Sequence, residues 1–319
     1  MKLPLLVLVG PTAVGKTAIS VAVAKKIGAE IISGDSMQVY RGMDVGTAKI
    51  TPAEMQGVPH HLIDTCDPAD PFSAAEFQAR VDELIRAIHG RGNLPFLVGG
   101  TGLYVRSVVQ AYTFAEQETD EELREALAQE EAEHGPGYLH GRLAAVDPAA
   151  AAKLHPNDLR RIIRALEVYQ TTGQRISETQ TAGEAEPRYD DLMVGLTMER
   201  DLLYSRIDQR VDQMLAAGWE AEVRHLLQRY SPHLPAMEAI GYRELVWYLR
   251  GVLTRPEMAE LIKRNTRRFA KRQFTWFRRD ERIRWFDVTQ PPARIQVVEE
   301  ITKLVEGKWQ RPVESVLPT

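Results

Sequence analysis

Residues 3–27 read LPLLVLVGPTAVGKTAISVAVAKKI. The apolar run Leu3–Val9 is typical of a buried β-strand, and it leads directly into the glycine-bearing loop Gly10–Thr17. That loop satisfies the pattern G-x-x-x-x-G-K-[ST], and the apolar residues after it favour a helix over Thr17–Ile27. A strand, this loop and a helix in succession predict an α/β fold with a P-loop NTPase-like core, in which helices flank a parallel sheet.

The loop offers phosphate oxygens three kinds of contact. Its backbone N–H groups and the helix N-terminus attract anions, Lys16 adds a positive charge, and the Thr17 hydroxyl is a ligand for Mg²⁺. The predicted phosphate-binding residues are Gly10, Pro11, Thr12, Ala13, Val14, Gly15, Lys16 and Thr17. The pattern alone predicts that a di- or triphosphate binds, and its usual interpretation is a nucleotide triphosphatase or kinase.

The order of predicted strands and helices divides the rest of the chain into two regions. Further strands are predicted at Ala29–Ser33, Leu94–Val98 and Leu192–Leu196, with a crossover helix over Ser73–His89. Beyond Val109 helical stretches replace the strands, so we predict an inserted helical lobe over residues 112–188 and a core of residues 1–111 and 189–319. The remaining predicted helices are Glu121–Glu133, Pro148–Leu154, Asn157–Thr172, Leu203–Ala217, Trp219–Tyr230, Arg243–Leu249 and Pro256–Phe277, with Gly218 as a C-cap.

Composition excludes several classes of protein. The chain has 319 residues, of which 44% are hydrophobic and 26% charged, as in ordinary globular enzymes and unlike disordered or fibrous chains. Its apolar start is too short to cross a bilayer. The single cysteine, Cys66, excludes a disulfide within the chain and any cysteine-rich zinc site, and is expected to be buried packing. We therefore expect a cytoplasmic, monomeric protein without a membrane segment.

Basic residues are concentrated in two segments although the net charge is −4. Residues 262–285 carry ten Lys or Arg side chains, including Lys271 and Arg272, interleaved with aromatic ones. This composition suits phosphate pairing with base stacking, but an amphipathic helix with aromatics in the core has it too. The second segment presents Arg160, Arg161 and Arg164 on one side of a helix, which alone is typical of a solvated surface.

Two turns after predicted strands carry candidate polar groups. Asp35 follows the second strand and would lie near the P-loop if the two strands are neighbours, where it acts as a base or metal ligand, or caps its own turn. Thr101 lies in GGTGLY after the third strand, where it contacts an anion or caps a helix. His60 and His61 are adjacent, would face opposite ways in a strand, and are assigned a structural role.

These segments together resemble the tRNA dimethylallyltransferases, also called tRNA isopentenyltransferases, over nearly the whole chain. The resemblance rests on GPTAVGKT with six further segments: ISGDSMQVYRGMDVGTAK (32–49), VGGTGLY (98–104), NDLRRIIRALEVYQTTG (157–173), RIDQRVDQML (206–215), EAIGYREL (238–245) and KRQFTWFR (271–278). Eukaryotic members often add a C-terminal zinc finger, for which this chain lacks the cysteines, so it resembles the compact bacterial form.

The resemblance implies that the loop holds the diphosphate of dimethylallyl diphosphate, with Mg²⁺ at Thr17, and that the acceptor is N6 of adenosine 37 in the anticodon loop of tRNAs reading codons that begin with U. Asp35 would take the proton from N6, Thr101 would orient the adenine, and Lys16 with Arg206 or Arg210 would neutralise the leaving diphosphate. The residues matching tRNA contacts are Asp35, Ser36, Met37, Gln38, Thr101, Arg124, Arg160, Arg161, Ile162, Ile163, Arg164, Gly241, Tyr242, Arg243, Lys271 and Arg272.

Three alternatives stay open at this point. An adenylate prenyltransferase would use free AMP or ADP, although the arginines of the helical insertion favour tRNA. An ATP-dependent small-molecule kinase would use Asp35 to activate a hydroxyl. A nucleotide-gated RNA-binding protein would carry out no chemistry.

Overall fold

The computed structural model describes residues 2–110, 120–179 and 187–309. Within these residues the strands form one parallel sheet in the order β3-β2-β4-β1-β5-β6. The strands are β1 (Pro4–Val9), β2 (Ala29–Gly34), β3 (His60–His61), β4 (Leu94–Gly99), β5 (Asp190–Thr197) and β6 (Arg284–Asp287).

Helices flank this sheet and build the rest of the described chain. In order they are α1 (Lys16–Ile27), α2 (Pro52–Met55), α3 (Ala74–Gly90), α4 (Gly102–Val109), α5 (Glu121–His134), α6 (Tyr138–Val146), α7 (Pro148–Ala151), α8 (Leu159–Thr172), α9 (Ile176–Thr179), α10 (Arg200–Ala216), α11 (Trp219–Leu226), α12 (Tyr242–Leu249), α13 (Arg255–Phe277) and α14 (Pro291–Lys308). No helix of the described ranges is long and apolar enough to pass through a bilayer.

Both faces of the sheet are covered, which explains the unbroken apolar run of β1. Leu6 and Leu8 pack with α1 and α14 on one face, and Leu5, Val7 and Val9 pack with α3 and α4 on the other. Since side chains alternate along a strand, a strand buried on both faces reads as continuously hydrophobic. The predicted α/β class and parallel sheet are therefore confirmed.

The chain divides into two compact units. One comprises residues 1–109 and 187–319, and the other residues 110–186. The boundary that we predicted between 111 and 112 lies outside the described residues, and the one at 188 lies within two residues of the structural boundary. The second unit has its own core, to which α5, α6 and α8 contribute Leu127, Leu139 and Leu166.

Some sequence predictions of local structure need correction. β6 and α14 were not predicted, and β3 comprises only His60 and His61. Gly218, with φ of 100°, precedes α11, whereas Ala217 is the residue that caps the C-terminus of α10. The structural role predicted for His61 fits its hydrogen bond to the buried Glu30, and Cys66 is buried as expected.

Sheet order determines which loops meet. β4 lies between β1 and β2, so the two strands that we considered as possible neighbours are not adjacent. The register pairs Val9 of β1 and Gly34 of β2 with the same residue, Gly99 of β4. All three strands thus end at one level, and their following loops share one edge of the sheet, where open α/β sheets bind ligands.

The different burial of two leucines at β1 predicts that their removal changes stability by different amounts. Leu8 is fully buried, whereas Leu3 just before the strand is 36% exposed. We expect Leu8→Ala to lower the free energy of unfolding by about 2–5 kcal/mol because it leaves a cavity. Leu3→Ala, the matched control, should cost about 1 kcal/mol or less. Urea denaturation measures both, and equal losses would contradict the assignment of Leu8 to the core.

Candidate active site

The loop between β1 and α1 contains two residues with positive φ angles. Ala13 has φ of 64° and Gly15 of 106°, both in the left-handed region, and Gly15 precedes the first turn of α1. A side chain on Gly10 would meet the Leu196 carbonyl of β5 at 2.9 Å. The glycines therefore allow the loop to curl tightly against the sheet, with the N-terminus of α1 directed into the site.

Lys16 is held by the loop that contains it. Its Nζ donates hydrogen bonds of 2.9 Å to the carbonyls of Gly10 and Pro11. Burial lowers the pKa of Lys16 to about 8, with Asp35 opposing and Arg210 reinforcing that shift. The ammonium thus lies between an acid and a guanidinium at the edge of the sheet, and its charge is sensitive to a nearby anion.

The three glycines of the GGTG segment at the end of β4 have no room for a side chain. A Cβ on Gly99 would lie 2.3 Å from the Gly34 carbonyl, one on Gly100 would lie 2.2 Å from Nε2 of Gln273, and one on Gly102 would lie 2.3 Å from Trp276. The neighbours are backbone in the first case and side chains of α13 in the other two. This segment is therefore packed between β2 and α13.

Asp35 both caps its own turn and lines the site. Its Oδ1 accepts hydrogen bonds from the amides of Met37 at 2.8 Å and Gln38 at 3.4 Å. Thr101 joins the same turn, since its Oγ1 accepts the Ser36 amide at 3.2 Å. Asp35 therefore caps its own turn, which is one of the roles considered from the sequence. These hydrogen bonds hold the carboxylate at the edge of the sheet where the loops after β1 and β2 lie.

Arg206 and Arg210 lie one turn apart on α10, on the side that faces the P-loop. Burial lowers the pKa of Arg210 and the carboxylates of Asp35 and Glu54 oppose that shift. Burial also lowers the pKa of Arg206, and the nearby guanidiniums of Arg294 and Arg210 add to the effect. Both candidates for the diphosphate arginine are therefore placed with Lys16, and the position makes their charges costly unless an anion is near.

Two cavities adjoin at these residues. The first, about 770 Å³, is lined by the P-loop, Lys16, Thr17 and Arg206. The second, about 360 Å³, is more apolar, and its lining includes Ile207, Val211, Met214, Trp219 and Phe269. Asp35, Arg210, Thr12 and Gln273 line both cavities. A phosphate side and an apolar side thus meet at one carboxylate and one guanidinium, which is an arrangement for breaking a bond between a phosphate and a hydrophobic group.

The residues of the phosphate side fit a magnesium ion that is held largely by a substrate. Thr17 is exposed and lines the larger cavity, as do Asp35 and Glu54. Over residues 2–110, 120–179 and 187–309, no three His, Cys, Asp or Glu side chains group closely enough to hold a metal. Mg²⁺ commonly uses few protein ligands and completes its shell with phosphate oxygens and water, so this donor set suits it.

The loop of residues 44–46, which lines the two cavities, is held by a residue that the sequence analysis did not identify. The carboxylate of Glu222 on α11 accepts hydrogen bonds from the amides of Asp44, Val45 and Gly46 at 2.6–3.1 Å, and from the Tyr242 hydroxyl at 2.6 Å. Gly46 lies so close to Trp219 that a Cβ there would be 2.0 Å from the indole nitrogen. No local pattern around Glu222 identifies it, because the three amides that it binds lie 176–178 residues away in the sequence.

The same packing places Tyr242, one of the predicted tRNA contacts. Tyr242 is only 1% exposed, and its ring packs edge-on against Trp219 in a buried cluster, so its side chain forms part of the wall of the smaller cavity. Gly241 is its neighbour at the start of α12, and a Cβ there would overlap Trp219. Arg243 is half-buried, pairs with Glu244 at 3.1 Å, and lies over the Trp247 ring.

The basic helix α13 presents three different faces. Lys263 and Arg267 pair with Asp212 and Asp208 of α10, so they stabilise helix packing. Phe269 and Gln273 line the cavities. The third face consists of exposed basic side chains at a spacing of one helix face, with no ion pair to a described acidic residue: Arg264, Arg268, Lys271 and Arg272. We call these four the basic stripe.

In the second unit, α8 separates its arginines from its apolar residues. Ile162 is fully buried and Ile163 nearly so, and both side chains pack into the core of this unit. Arg160 and Arg161 are exposed. Arg164 and Arg124 are instead both bound to the buried carboxylate of Glu167, at 2.7 and 3.0 Å, so each also stabilises the unit.

Fold and site together define a P-loop protein with an apolar cavity beside its phosphate loop. The family model described as IPP transferase matches residues 38–280. A protein of Symbiobacterium thermophilum named tRNA dimethylallyltransferase is 71% identical over 309 residues, which cover 97% of both chains. One of the same name from Bacillus subtilis is 49% identical, covering 97% of this chain and 98% of the relative.

Solved structures agree with these sequences. The crystal structure of the tRNA isopentenylpyrophosphate transferase of Bacillus halodurans has 48% identity and a TM-score of 0.73, and covers 96% of this chain and 97% of its own. A eukaryotic dimethylallyltransferase described as acting on tRNA gives a TM-score of 0.81 at 28% identity, covering 98% and 81%. The chain therefore belongs to the IPP transferase family, whose curated relatives are named tRNA dimethylallyltransferase.

The lowered pKa of Lys16 predicts that anion affinity depends on pH. Above pH about 8 the ammonium loses its proton, so the affinity for inorganic diphosphate should fall, by up to about tenfold per pH unit. Isothermal titration calorimetry from pH 7 to 9 measures this. Lys16→Arg is the control, because a guanidinium stays charged over this range and its profile reports only the titration of diphosphate. Identical profiles for both proteins would show that Lys16 does not titrate there.

Proposed function

We propose that the protein transfers the dimethylallyl group of dimethylallyl diphosphate to N6 of adenosine 37 in tRNAs that read codons beginning with U. The bond between C1 of the prenyl group and the diphosphate oxygen breaks, a C–N bond forms, and one N6 proton leaves. The observation that carries the proposal is the junction of a phosphate cavity and an apolar cavity at Asp35 and Arg210. The relatives named tRNA dimethylallyltransferase support it.

Each side of the junction supplies one half of the chemistry. On the phosphate side, the P-loop amides, Lys16, Arg206 and Arg210 offset the negative charge that grows on the departing diphosphate. When bound, Mg²⁺ would be held by the Thr17 hydroxyl and diphosphate oxygens and would neutralise further charge. On the apolar side, Trp219 and Phe269 are among the residues that would exclude water from the electron-poor prenyl carbon.

The acceptor side depends on Asp35. The exocyclic amine of adenine is a weak nucleophile, so a carboxylate that accepts its proton assists C–N bond formation. In our proposal the base leaves its stack in the anticodon loop and enters beside Ser36 and Met37, where Thr101 orients it. Asp35 keeps one oxygen for its turn through the Met37 amide and offers the other to the amine.

For tRNA we propose the basic stripe of α13, with Arg160 and Arg161 of the second unit, as phosphate-contacting groups. These side chains are exposed, whereas the other basic residues of α13 mentioned above are paired with acids. We further propose that the protein acts in the cytoplasm, where its acceptor substrate tRNA is found, and that it acts as a monomer.

The test is transfer of label. Purified protein is incubated with Mg²⁺, labelled dimethylallyl diphosphate and either tRNA or AMP, and we expect label on tRNA alone. Label on AMP but not on tRNA would establish an adenylate prenyltransferase instead. ATP hydrolysis without transfer would point to the kinase class, and tRNA binding with neither reaction to a binding protein.

The Asp35 proposal separates base catalysis from turn capping. Asp35→Asn keeps an oxygen to accept the Met37 and Gln38 amides but cannot take a proton. We expect kcat to fall about 100- to 10,000-fold with tRNA affinity within about threefold of the wild type. Asp70→Asn, at an exposed loop residue, should leave both unchanged. Equal losses of kcat and tRNA affinity would make Asp35 a binding residue.

The basic stripe predicts salt-dependent binding. Arg268→Gln or Lys271→Gln should each weaken tRNA affinity about three- to tenfold and reduce the slope of log affinity against log salt by about one unit. Filter binding over a ~6-fold range of salt concentration, from 50 to 300 mM, measures both the affinity and the slope. Lys26→Gln in the last turn of α1, at the opposite edge of the sheet, is the control. An unchanged slope in both stripe variants would show that RNA binds elsewhere.

A further inference from the structure

One buried amide joins three segments of the site that are far apart in sequence. Oε1 of Gln273 accepts the amide of Thr12 in the P-loop at 2.9 Å, and its Nε2 donates to the carbonyl of Gly100 at 3.0 Å. The side chain is 6% exposed. The carbonyl oxygen and the amide nitrogen of the Gln273 side chain thus each bond the backbone of a different loop. Both loops are far from α13 in the sequence.

The two loops carry different parts of the proposed chemistry. Thr12 belongs to the loop that would grip the diphosphate, while Gly100 precedes Thr101, which bonds the turn containing Asp35. Gln273 lies directly beside Lys271 and Arg272 of the basic stripe. Its position therefore links the leaving-group side, the acceptor side and the proposed RNA-facing helix through two hydrogen bonds.

The local fit is too close for this link to be incidental. A Cβ on Gly100 would lie 2.2 Å from Nε2 and 3.4 Å from Cδ of Gln273. The same Cβ would lie 3.3 Å from the Gly10 carbonyl, so the Gln273 amide is by far the closest neighbour. The Gln273 amide therefore occupies the space beside Gly100, and removing that side chain relieves the shortest contact that an alanine would make there.

We propose that Gln273 is a positioning residue for the transfer reaction, which holds the phosphate loop and the Thr101 segment at the separation that the reaction needs. It acts through the backbone of Thr12 and Gly100, to which both polar atoms of its side chain are hydrogen-bonded. Since displacement of reacting groups by about 1 Å costs on the order of 100-fold in rate, losing this brace should lower turnover more than tRNA binding. The inference rests on the proposed function.

The first experiment compares Gln273→Ala and Gln273→Met with Thr275→Ala, an exposed position two residues further along the same helix. We expect kcat for label transfer to fall about 10- to 100-fold in both Gln273 variants, with KM for tRNA within about threefold of the wild type. Methionine conserves volume but forms neither hydrogen bond, so it keeps the test valid if the alanine variant folds poorly. Thr275→Ala should match the wild type.

A double-mutant cycle tests the mechanism. Gly100→Ala alone should reduce kcat as Gln273→Ala does, because the new methyl group displaces the amide. In the double variant the methyl group occupies the freed space, so kcat should exceed the product of the two single losses by at least about tenfold. Multiplicative losses, or a Gln273→Met variant with kcat within threefold of the wild type, would overturn the proposal.

Diphosphate binding separates this inference from the proposed function. Calorimetry with inorganic diphosphate and without tRNA should show affinity about fivefold weaker in Gln273→Ala and Gly100→Ala, and the same non-multiplicative pattern in the double variant. A wild type that transfers no label would reject the proposed function, whereas unchanged diphosphate affinity throughout the cycle would reject the role of Gln273 in placing the loop.

Discussion

Everything at the site depends on three parallel strands ending at the same level. The backbone pairing of Val9 and Gly34 with Gly99 brings the loops after β1, β2 and β4 to one edge. This level is enforced by close backbone contact between β2 and β4, where a Cβ on Gly99 would lie 2.3 Å from the Gly34 carbonyl. The hydrogen bonds between the strands fix the strands relative to one another. The sheet therefore determines the distance between the phosphate loop and the turn that contains Asp35.

Charge at this edge is concentrated rather than balanced. Lys16, Arg206 and Arg210 crowd around the P-loop, and burial lowers the pKa of all three. Such a site is unfavourable for the protein by itself and favourable once a multiply charged anion enters it, which is how binding energy can be directed at a leaving group. The apolar cavity next to it has the opposite preference, so a molecule with a charged head and a hydrophobic tail satisfies both.

The sequence was sufficient for the parts of the fold that depend on local patterns. β1 and the P-loop were predicted because a doubly covered strand and a G-x-x-x-x-G-K-[ST] loop each have a short signature. The two-residue β3 and the polar β6 have no such signature, since pairing with a neighbouring strand defines them. Glu222 and Gln273 were missed for the same reason, as their partners are backbone groups distant in the chain. Ile162 was assigned to RNA by motif, although its helical position already placed it in the core.

The three faces of α13 also have a consequence for the evolution of the chain. Its residues are divided among ion pairs to α10, the cavity wall and the basic stripe, so most positions between residues 263 and 273 have one of these roles. A random library over residues 263–273 should therefore tolerate far fewer substitutions than one over the neighbouring α14, whose outer face is mostly exposed. We expect substitutions to accumulate most slowly in α13, because its residues form ion pairs, line the cavities and build the basic stripe.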